Sequence, residues 1–369
     1  MKDKNIIFHI PFKIDFNRAS GSQIRPIKMI KAFEEIGYNV DIIQGYLKER
    51  SQKIKQIKRK IRSGVNYEFV YSESSTAPTA LTEKHHLPIR PFLDFKFFKF
   101  CKRNNIPIGL FYRDIYWNFE NYKKQLPLLK RKLAIFFYKF DIKQYNKWLK
   151  IMFLPSVDMI KAFPIKYTGQ YMDLPPASDS LPNSVPSVKY NGISIIYVGG
   201  LNDNYQMHLL FKVCSKNSQI KLNVVCRKEE WEKQKIEYIQ YMNNNIKIHH
   251  ASGKDLLKIF KENNIASLYV EPDEYRKFAM PLKIFEYMAN NKPILCTKNT
   301  AAAKFIEKND IGWSIDYDET ELTNLLYNLI RNSNEITEKI FQIEKVIEEH
   351  RWKNRAEAVS NYMKKNSKN

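Results

Sequence analysis

At 369 residues the chain is long enough for two domains of ordinary size, and 44% hydrophobic with 14% aromatic residues excludes a disordered chain. Its formal charge of +22 is lopsided: the first 180 residues hold 33 Lys and Arg against 16 Asp and Glu, the remainder 28 against 23. The first half therefore calls for an anionic partner, with nucleic acid, an anionic membrane or a phosphorylated substrate as the candidates. In chain order, Asn5–Ile10 reads as a strand, Ile24–Ile36 as a helix stopped by Gly37, and Tyr38–Gln44, Ile106–Tyr112 and Ile151–Leu154 as further strands. Short buried strands separated by helices predict a parallel sheet covered on both faces. Residues 170–192 change character, with Pro175, Pro176, Pro182 and Pro186 among serines, as in a connector. The pattern then restarts with strands at Ile193–Val198, Leu222–Cys226, Ile246–His250, Ala266–Val270 and Pro293–Thr297, and a helical segment Glu335–Lys364. The fold class expected is α/β, two Rossmann-like domains with a cleft between them. Their bounds are 1–170, a linker 171–190, 191–345, and a closing helix 346–369.

Several short motifs stand at strand ends, where ligands bind in open α/β sheets. Ala19-Ser20-Gly21-Ser22-Gln23 precedes the first helix; small residues there let backbone amides approach a phosphate, or simply place Ser20 or Ser22 as an N-cap. Gly199-Gly200 closes a strand, as a tight turn or as a close approach to a nucleotide. Arg227 follows another strand, as a plain surface arginine or as a phosphate contact to which its guanidinium is suited. The stretch Tyr275–Thr297 reads as a loop, a helix opened by Pro281, an Asn-Asn turn and a buried strand. Lys283 in that first turn opposes the helix dipole unless an anion binds beside it. Lys283 and Glu286 are either a plain i,i+3 pair or a phosphate contact and a ribose-hydroxyl acceptor.

Cys101, Cys214, Cys226 and Cys296 have neither zinc-site nor redox spacing, and the pairs His85-His86 and His249-His250 cannot chelate alone, so no metal is expected. Met1-Lys2-Asp3-Lys4 leads into a short apolar run and no segment is long enough to span a bilayer, which predicts a protein that is cytoplasmic or peripheral to a membrane. Three basic segments mix cations with apolar residues: Lys48–Arg62, Phe92–Arg103 and Leu126–Phe140. Together they favour an anionic membrane surface, and no nucleic-acid module is legible.

The chain resembles GT-B glycosyltransferases, closest to the retaining family-4 type that builds bacterial surface polysaccharides. P-L-K-I-F-E-Y-M-A-N-N-K-P-I carries the resemblance most specifically. S-G-S-Q-I-R-P, F-Y-R-D-I-Y-W, Y-V-G-G-L, V-V-C-R-K-E-E-W and R-W-K-N-R-A follow the family order over most of the chain. The resemblance implies a nucleotide sugar (UDP-, GDP- or TDP-linked) held by Gly21, Ser22, Gly199, Gly200, Arg227, Tyr275, Met280, Pro281, Leu282, Lys283 and Glu286. It implies metal-free, cofactor-free chemistry with Lys283, Arg227, Asp114 and Arg113 as the catalytic set. It also implies a lipid-linked glycan acceptor and a place at the inner face of the cell membrane, in capsule, exopolysaccharide or O-antigen synthesis. Phe278 stands where the family often has a glutamate, Arg113-Asp114 where it often has His-Asp, and Asn202 and Asn204 where basic residues are common. The alternatives are a non-catalytic GT-B subunit of a partner transferase and a nucleotide-sugar epimerase.

Overall fold

A computed structural model describes residues 4–16, 21–120, 122, 126–179, 192–202 and 205–365. Ala19, Ser20, Pro182, Pro186 and Asn204 lie outside the described residues, as does most of the expected linker. The chain divides into two compact units, Met1–Pro176 with Trp352–Asn369, and Ala177–Arg351.

The first unit is built on a six-stranded parallel sheet in the order β2-β1-β3-β4-β5-β6. Its strands are β1 Asn5–His9, β2 Asn39–Ile43, β3 Val70–Glu73, β4 Ile108–Phe111, β5 Ile151–Leu154 and β6 Gln170–Asp173. β3, β4 and β5 are buried throughout, as sheets covered on both faces require. Much of the core is aromatic: Phe8 packs on Tyr71 with centroids 5.1 Å apart, and Phe33 on Tyr71 at 5.2 Å. The helix Trp352–Lys365 belongs to this unit. It is tied down by Arg355, whose Nε donates to the Pro175 and Pro176 carbonyls, and by the Ser360 hydroxyl 2.7 Å from Tyr38 Oη.

The second unit is a six-stranded parallel sheet in the order β12-β11-β10-β7-β8-β9. Here β7 is Ile193–Val198, β8 Ile220–Val225, β9 Ile246–His249, β10 Ile265–Leu268, β11 Ile294–Thr297 and β12 Gly312–Ile315. Two of its helices start where a cap answers the open amides: Thr300 accepts from Ala303 N–H, and Asp318 from Thr320 and Glu321 N–H. Asn291 takes a left-handed turn after the helix Lys283–Ala289, and the chain enters β11.

Several elements differ from the sequence reading. The first helix runs Gly21–Glu35, so Gly21 and Ser22 are already helical rather than in the preceding loop. The helix after Pro281 starts at Lys283. The closing helical segment is two helices, Asn334–Val346 and Trp352–Lys365, separated by a short 3-10 turn at Ile347–His350. β6 occupies the start of the expected linker, and β3 and β12 were not expected. Among the described residues, no helix is long and apolar enough to cross a membrane.

Candidate functional site

In the second unit, β8 and β9 lie to one side of β7 and β10 to the other, all parallel, so the strand order reverses beside β7. Ligands in open α/β sheets bind in the crevice beyond such a point. The β7–β10 register ends at Ile196↔Ala266. Beyond it the Tyr287 hydroxyl bridges the gap, accepting from Val198 N–H at 3.0 Å and donating to the Ser267 carbonyl at 3.3 Å. Tyr287 thereby fixes the helix Lys283–Ala289 against the ends of both strands. The loop after β10 is held by Glu271 N–H donating to the Gln206 carbonyl, and by the Thr297 hydroxyl donating to the Val270 carbonyl.

This framework directs Lys283 at the Gly199-Gly200 turn. Its Nζ donates to Tyr197 Oη at 2.7 Å, and that hydroxyl donates to the Gly200 carbonyl at 2.7 Å. The ammonium lies 4.3 Å from the Tyr197 ring centroid and 3.9 Å from that of Tyr205, a cation–π cage. Among the described residues no carboxylate forms an ion pair with it. Burial first, and then the Arg276 guanidinium, push the lysine's pKa down to about 7. Gly199 has φ +148°, and a Cβ there would fall 2.1 Å from Lys283 Cε and 2.4 Å from Nζ. Glycine is what leaves the lysine its place.

The other residues of the second unit expected on the donor side lie on this crevice or its walls, whereas Gly21 and Ser22 belong to the first unit. Arg227 is the N-cap of the helix Lys228–Tyr238, mostly exposed, with Nη1 3.4 Å from Glu230. Glu230 also accepts from Leu201 N–H, which places a counter-charge beside the Gly200 turn. Tyr275 sits in a 3-10 turn capped by Asp273, which accepts from Arg276 N–H at 2.8 Å. That cap carries Arg276 to the Tyr205 ring, 4.8 Å away. Phe278 is buried edge-on to Tyr275. Met280, Pro281 and Leu282 are half-buried and lead into the helix. Glu286 is half-buried, and its carboxylate meets no hydrogen-bond donor among the described residues. Burial raises its pKa, Lys283 lowers it, and Asp179 raises it, with a net upward shift. An open carboxylate of this kind suits a pair of hydroxyl donors.

The first unit treats its expected site residues differently. Arg113 is locked: Nη2 donates to Glu73 at 2.9 Å, Nη1 to the Gly21 carbonyl, and Nε to the Ser74 carbonyl. Glu73 also lies 3.4 Å from Arg25 Nε, and Arg25 stacks 3.5 Å from the Phe111 ring centroid. Asp114 accepts from Tyr116 N–H and so starts the turn Tyr116–Asn118. Ser22 lies in the first helical turn, partly exposed. At the reversal of this sheet, between β1 and β3, the structure reveals a buried polar chain that sequence patterning did not suggest. His9 Nδ1 is 2.8 Å from Ser72 Oγ, His9 Nε2 is 2.9 Å from Asp94, and Arg50 Nε donates to Asp94. Burial pushes the Asp94 pKa up, but Arg50 and His9 more than offset it.

Tyr197, Tyr205, Glu230 and Arg276 were also missed. Tyr197 and Glu230 lie inside motifs already noted, Y-V-G-G-L and V-V-C-R-K-E-E-W, so adjacency to a strand end was the available signal. Tyr205 had no signal in the sequence.

Residues 186–358 match the family model described as glycosyl transferases group 1. The chain is a glycosyltransferase, and its two parallel sheets form the GT-B fold. Among solved structures, a glycosyltransferase from Rickettsia africae is similar with TM-score 0.66 and 13% identity, covering 98% of both chains. Anabaena Alr3699/HepE, solved in complex with UDP-glucose, has TM-score 0.61 and 11% identity, covering 98% of this chain and 99% of that one. WaaG, a glycosyltransferase involved in lipopolysaccharide biosynthesis, has TM-score 0.60 and 12% identity over 97% of this chain and 99% of its own. At these identities the likeness speaks for the fold. No curated protein sequence matches the chain.

Proposed function

We propose that this glycosyltransferase moves a sugar, with retention, from a UDP-, GDP- or TDP-linked donor to a lipid-linked glycan. The setting is capsule, exopolysaccharide or O-antigen assembly at the cytoplasmic face of a bacterial membrane. The observation that carries the donor is Lys283, an ammonium held beyond β7 by two tyrosines and no carboxylate ion pair among the described residues. A cation so placed is set for an external anion rather than an internal one. The UDP-glucose held by a neighbour of the same fold supports a nucleotide sugar. The lipopolysaccharide role of another, with the basic first half, supports a lipid-linked acceptor at a membrane.

In this reading the bond between the sugar's anomeric carbon and the β-phosphate oxygen breaks, the acceptor hydroxyl oxygen bonds to that carbon and its proton passes to the departing diphosphate, on which charge develops. Lys283 and Arg227 stabilise that charge without a metal, the preorganised electrostatic contribution that dominates many enzymes. The glycine turn at Gly199-Gly200 admits the phosphates, and Glu286 accepts from the ribose hydroxyls. Backbone amides near Gly21 and Ser22 add to the phosphate contacts, while Arg113 and Asp114 serve the acceptor side. Arg113, with its guanidinium already engaged, acts by positioning Gly21 and the loop after β3.

A thermal-shift screen with UDP, GDP, TDP and their sugars tests the donor. One of them at about a hundredfold over its dissociation constant stabilises the chain by roughly 2.7 kcal/mol. The same nucleotide should then be released from its sugar when a lipid-linked glycan is added. Indifference to every nucleotide would sink the reading.

A further inference from the structure

The helix Leu128–Trp148 has two apolar faces, and only one is used inside the protein. Ala134, Phe137, Tyr138, Asp141, Ile142 and Tyr145 are buried. Leu129, Leu133 and Phe136, at i, i+4 and i+7, form a second stripe that stays 81%, 40% and 61% exposed. The stripe continues off the helix: Phe92 packs edge-on against Phe140 at 5.3 Å, and Leu87, Ile89 and Phe92 are themselves exposed. Helical geometry puts the exposed Lys132, Lys139 and Lys143 along one flank of the stripe, with exposed Arg90 in the adjoining segment. The acidic residues of this helix and of its neighbour Leu93–Arg103 are Asp141 and Asp94, and both are buried. The outer surface of the pair is therefore apolar and cationic, without a carboxylate.

The basic helix Leu47–Arg62 makes the contrast. It spends Ile54 and Ile57 on the core, buries Arg50 against Asp94, and pairs Lys60 with Asp41. It presents charge but no apolar stripe.

We propose that the first half of Leu128–Trp148, together with Leu87–Phe92, is a docking face for an anionic lipid bilayer. Leu129, Leu133, Phe136 and Ile89 enter the acyl boundary while Lys132, Lys139 and Lys143 meet lipid phosphates. Lysine stems can lie along the apolar surface and keep their heads at the phosphate level. This is the pattern of a helix lying in the membrane plane rather than crossing it. The charge complementarity selects an anionic surface over a neutral one. The inference rests on the membrane partner proposed above and names its face and its lipid chemistry.

The test is co-sedimentation of the full chain with vesicles of phosphatidylcholine alone and of phosphatidylcholine with phosphatidylglycerol. Binding is expected only to the anionic vesicles and weakens with salt. Leu129→Ser with Phe136→Ser lowers the affinity about tenfold or more, since both side chains lose their burial. Lys132→Gln with Lys139→Gln and Lys143→Gln lowers it on the order of a hundredfold. Lys53→Gln with Lys55→Gln and Lys58→Gln, on the other helix, changes it by less than about threefold, given its lack of an apolar stripe. Circular dichroism and stabilisation by UDP, GDP or TDP, measured on each variant, separate the two readings. Intact nucleotide binding with unchanged vesicle affinity in the serine variant overturns the docking face alone. Vesicle binding without any nucleotide response leaves the docking face standing and overturns the donor reading. A wild-type dimer dissolved by the serine substitutions makes a second copy the occupant and overturns the lipid proposal.

Discussion

The two units spend buried charge in opposite ways. In the first, Glu73 is shared by Arg25 and Arg113, and Asp94 by Arg50 and His9, so these two buried carboxylates have internal cationic partners. In the second, Lys283 is surrounded by tyrosine rings, one hydroxyl and a nearby guanidinium. Internal ion pairs at that depth hold a fold in register, because breaking one strands a charge in low dielectric. A half-buried ammonium without an ion pair among the described residues, on which Glu286 and Glu230 act only at a distance, gains most when an anion arrives. The contrast separates residues that maintain the protein from those proposed above to act on a ligand.

The largest expected effect breaks the first side of the contrast. Glu73→Ala leaves two guanidinium groups without their carboxylate and costs about 3–5 kcal/mol, read as a lower denaturant midpoint. A midpoint within experimental error of the wild type would show that Arg25 and Arg113 do not depend on Glu73.

The second side predicts the reverse behaviour for Lys283→Ala. Loss of one preorganised donor removes about 3–4 kcal/mol of transition-state stabilisation, several hundredfold in turnover. Folding should be unharmed, because a desolvated cation disappears. Near wild-type turnover of the nucleotide sugar in a folded variant would remove Lys283 from the chemistry. Gly199→Ala should imitate this at a smaller scale, about tenfold to a hundredfold, by pushing the ammonium aside rather than deleting it. Its melting temperature and turnover, measured together, distinguish a displaced lysine from a damaged strand.

The pH dependence sharpens the comparison further. Lys283 in the free crevice is pushed down to about 7, and a bound diphosphate would raise it again. Nucleotide affinity is then flat below about pH 7. It falls about tenfold per pH unit above that, until the pKa of the complex is reached. Titration calorimetry from pH 6 to 9 reads this, and a pH-independent profile in Lys283→Met is the matching control. A wild-type profile without the fall would mean that the ammonium does not carry the phosphate.

The smallest effect concerns the hydroxyl that links Lys283 to the turn. Tyr197→Phe keeps both rings of the cage but leaves the Gly200 carbonyl and the ammonium without that bridge, a loss of about 0.5–1.5 kcal/mol. Donor affinity should fall severalfold with little change in the pH profile. A loss as large as that of Lys283→Ala would make Tyr197 more than a positioning residue.

Strands with apolar runs were legible to the residue, as with I-M-F-L at Ile151–Leu154 and I-S-I-I-Y-V at Ile193–Val198. β3 was not, because V-Y-S-E ends in two polar residues. Burying Ser72 and Glu73 makes sense only once His9, Arg25 and Arg113 arrive from elsewhere in the chain. The same limit governs the candidate site. Gly199 and Arg227 could be named from their places at strand ends, and Lys283 and Glu286 from the first turn of a helix. Phe278, where relatives often carry an acid, turned out to be a packed ring rather than a vacated charge.

What the sequence by itself determined is the alternation of short buried strands with helices, hence two parallel sheets, and the residue types waiting at their carboxyl ends. These follow from local periodicity and turn chemistry, which act over a few residues. Only the tertiary structure decided that Gly199 and Lys283 touch, that Arg113 is committed to Glu73, and that the helix at Leu128 leaves an apolar stripe outside while the helix at Leu47 does not. Each of these depends on which long-range neighbour supplies the counter-charge or the covering surface, and no local pattern encodes that.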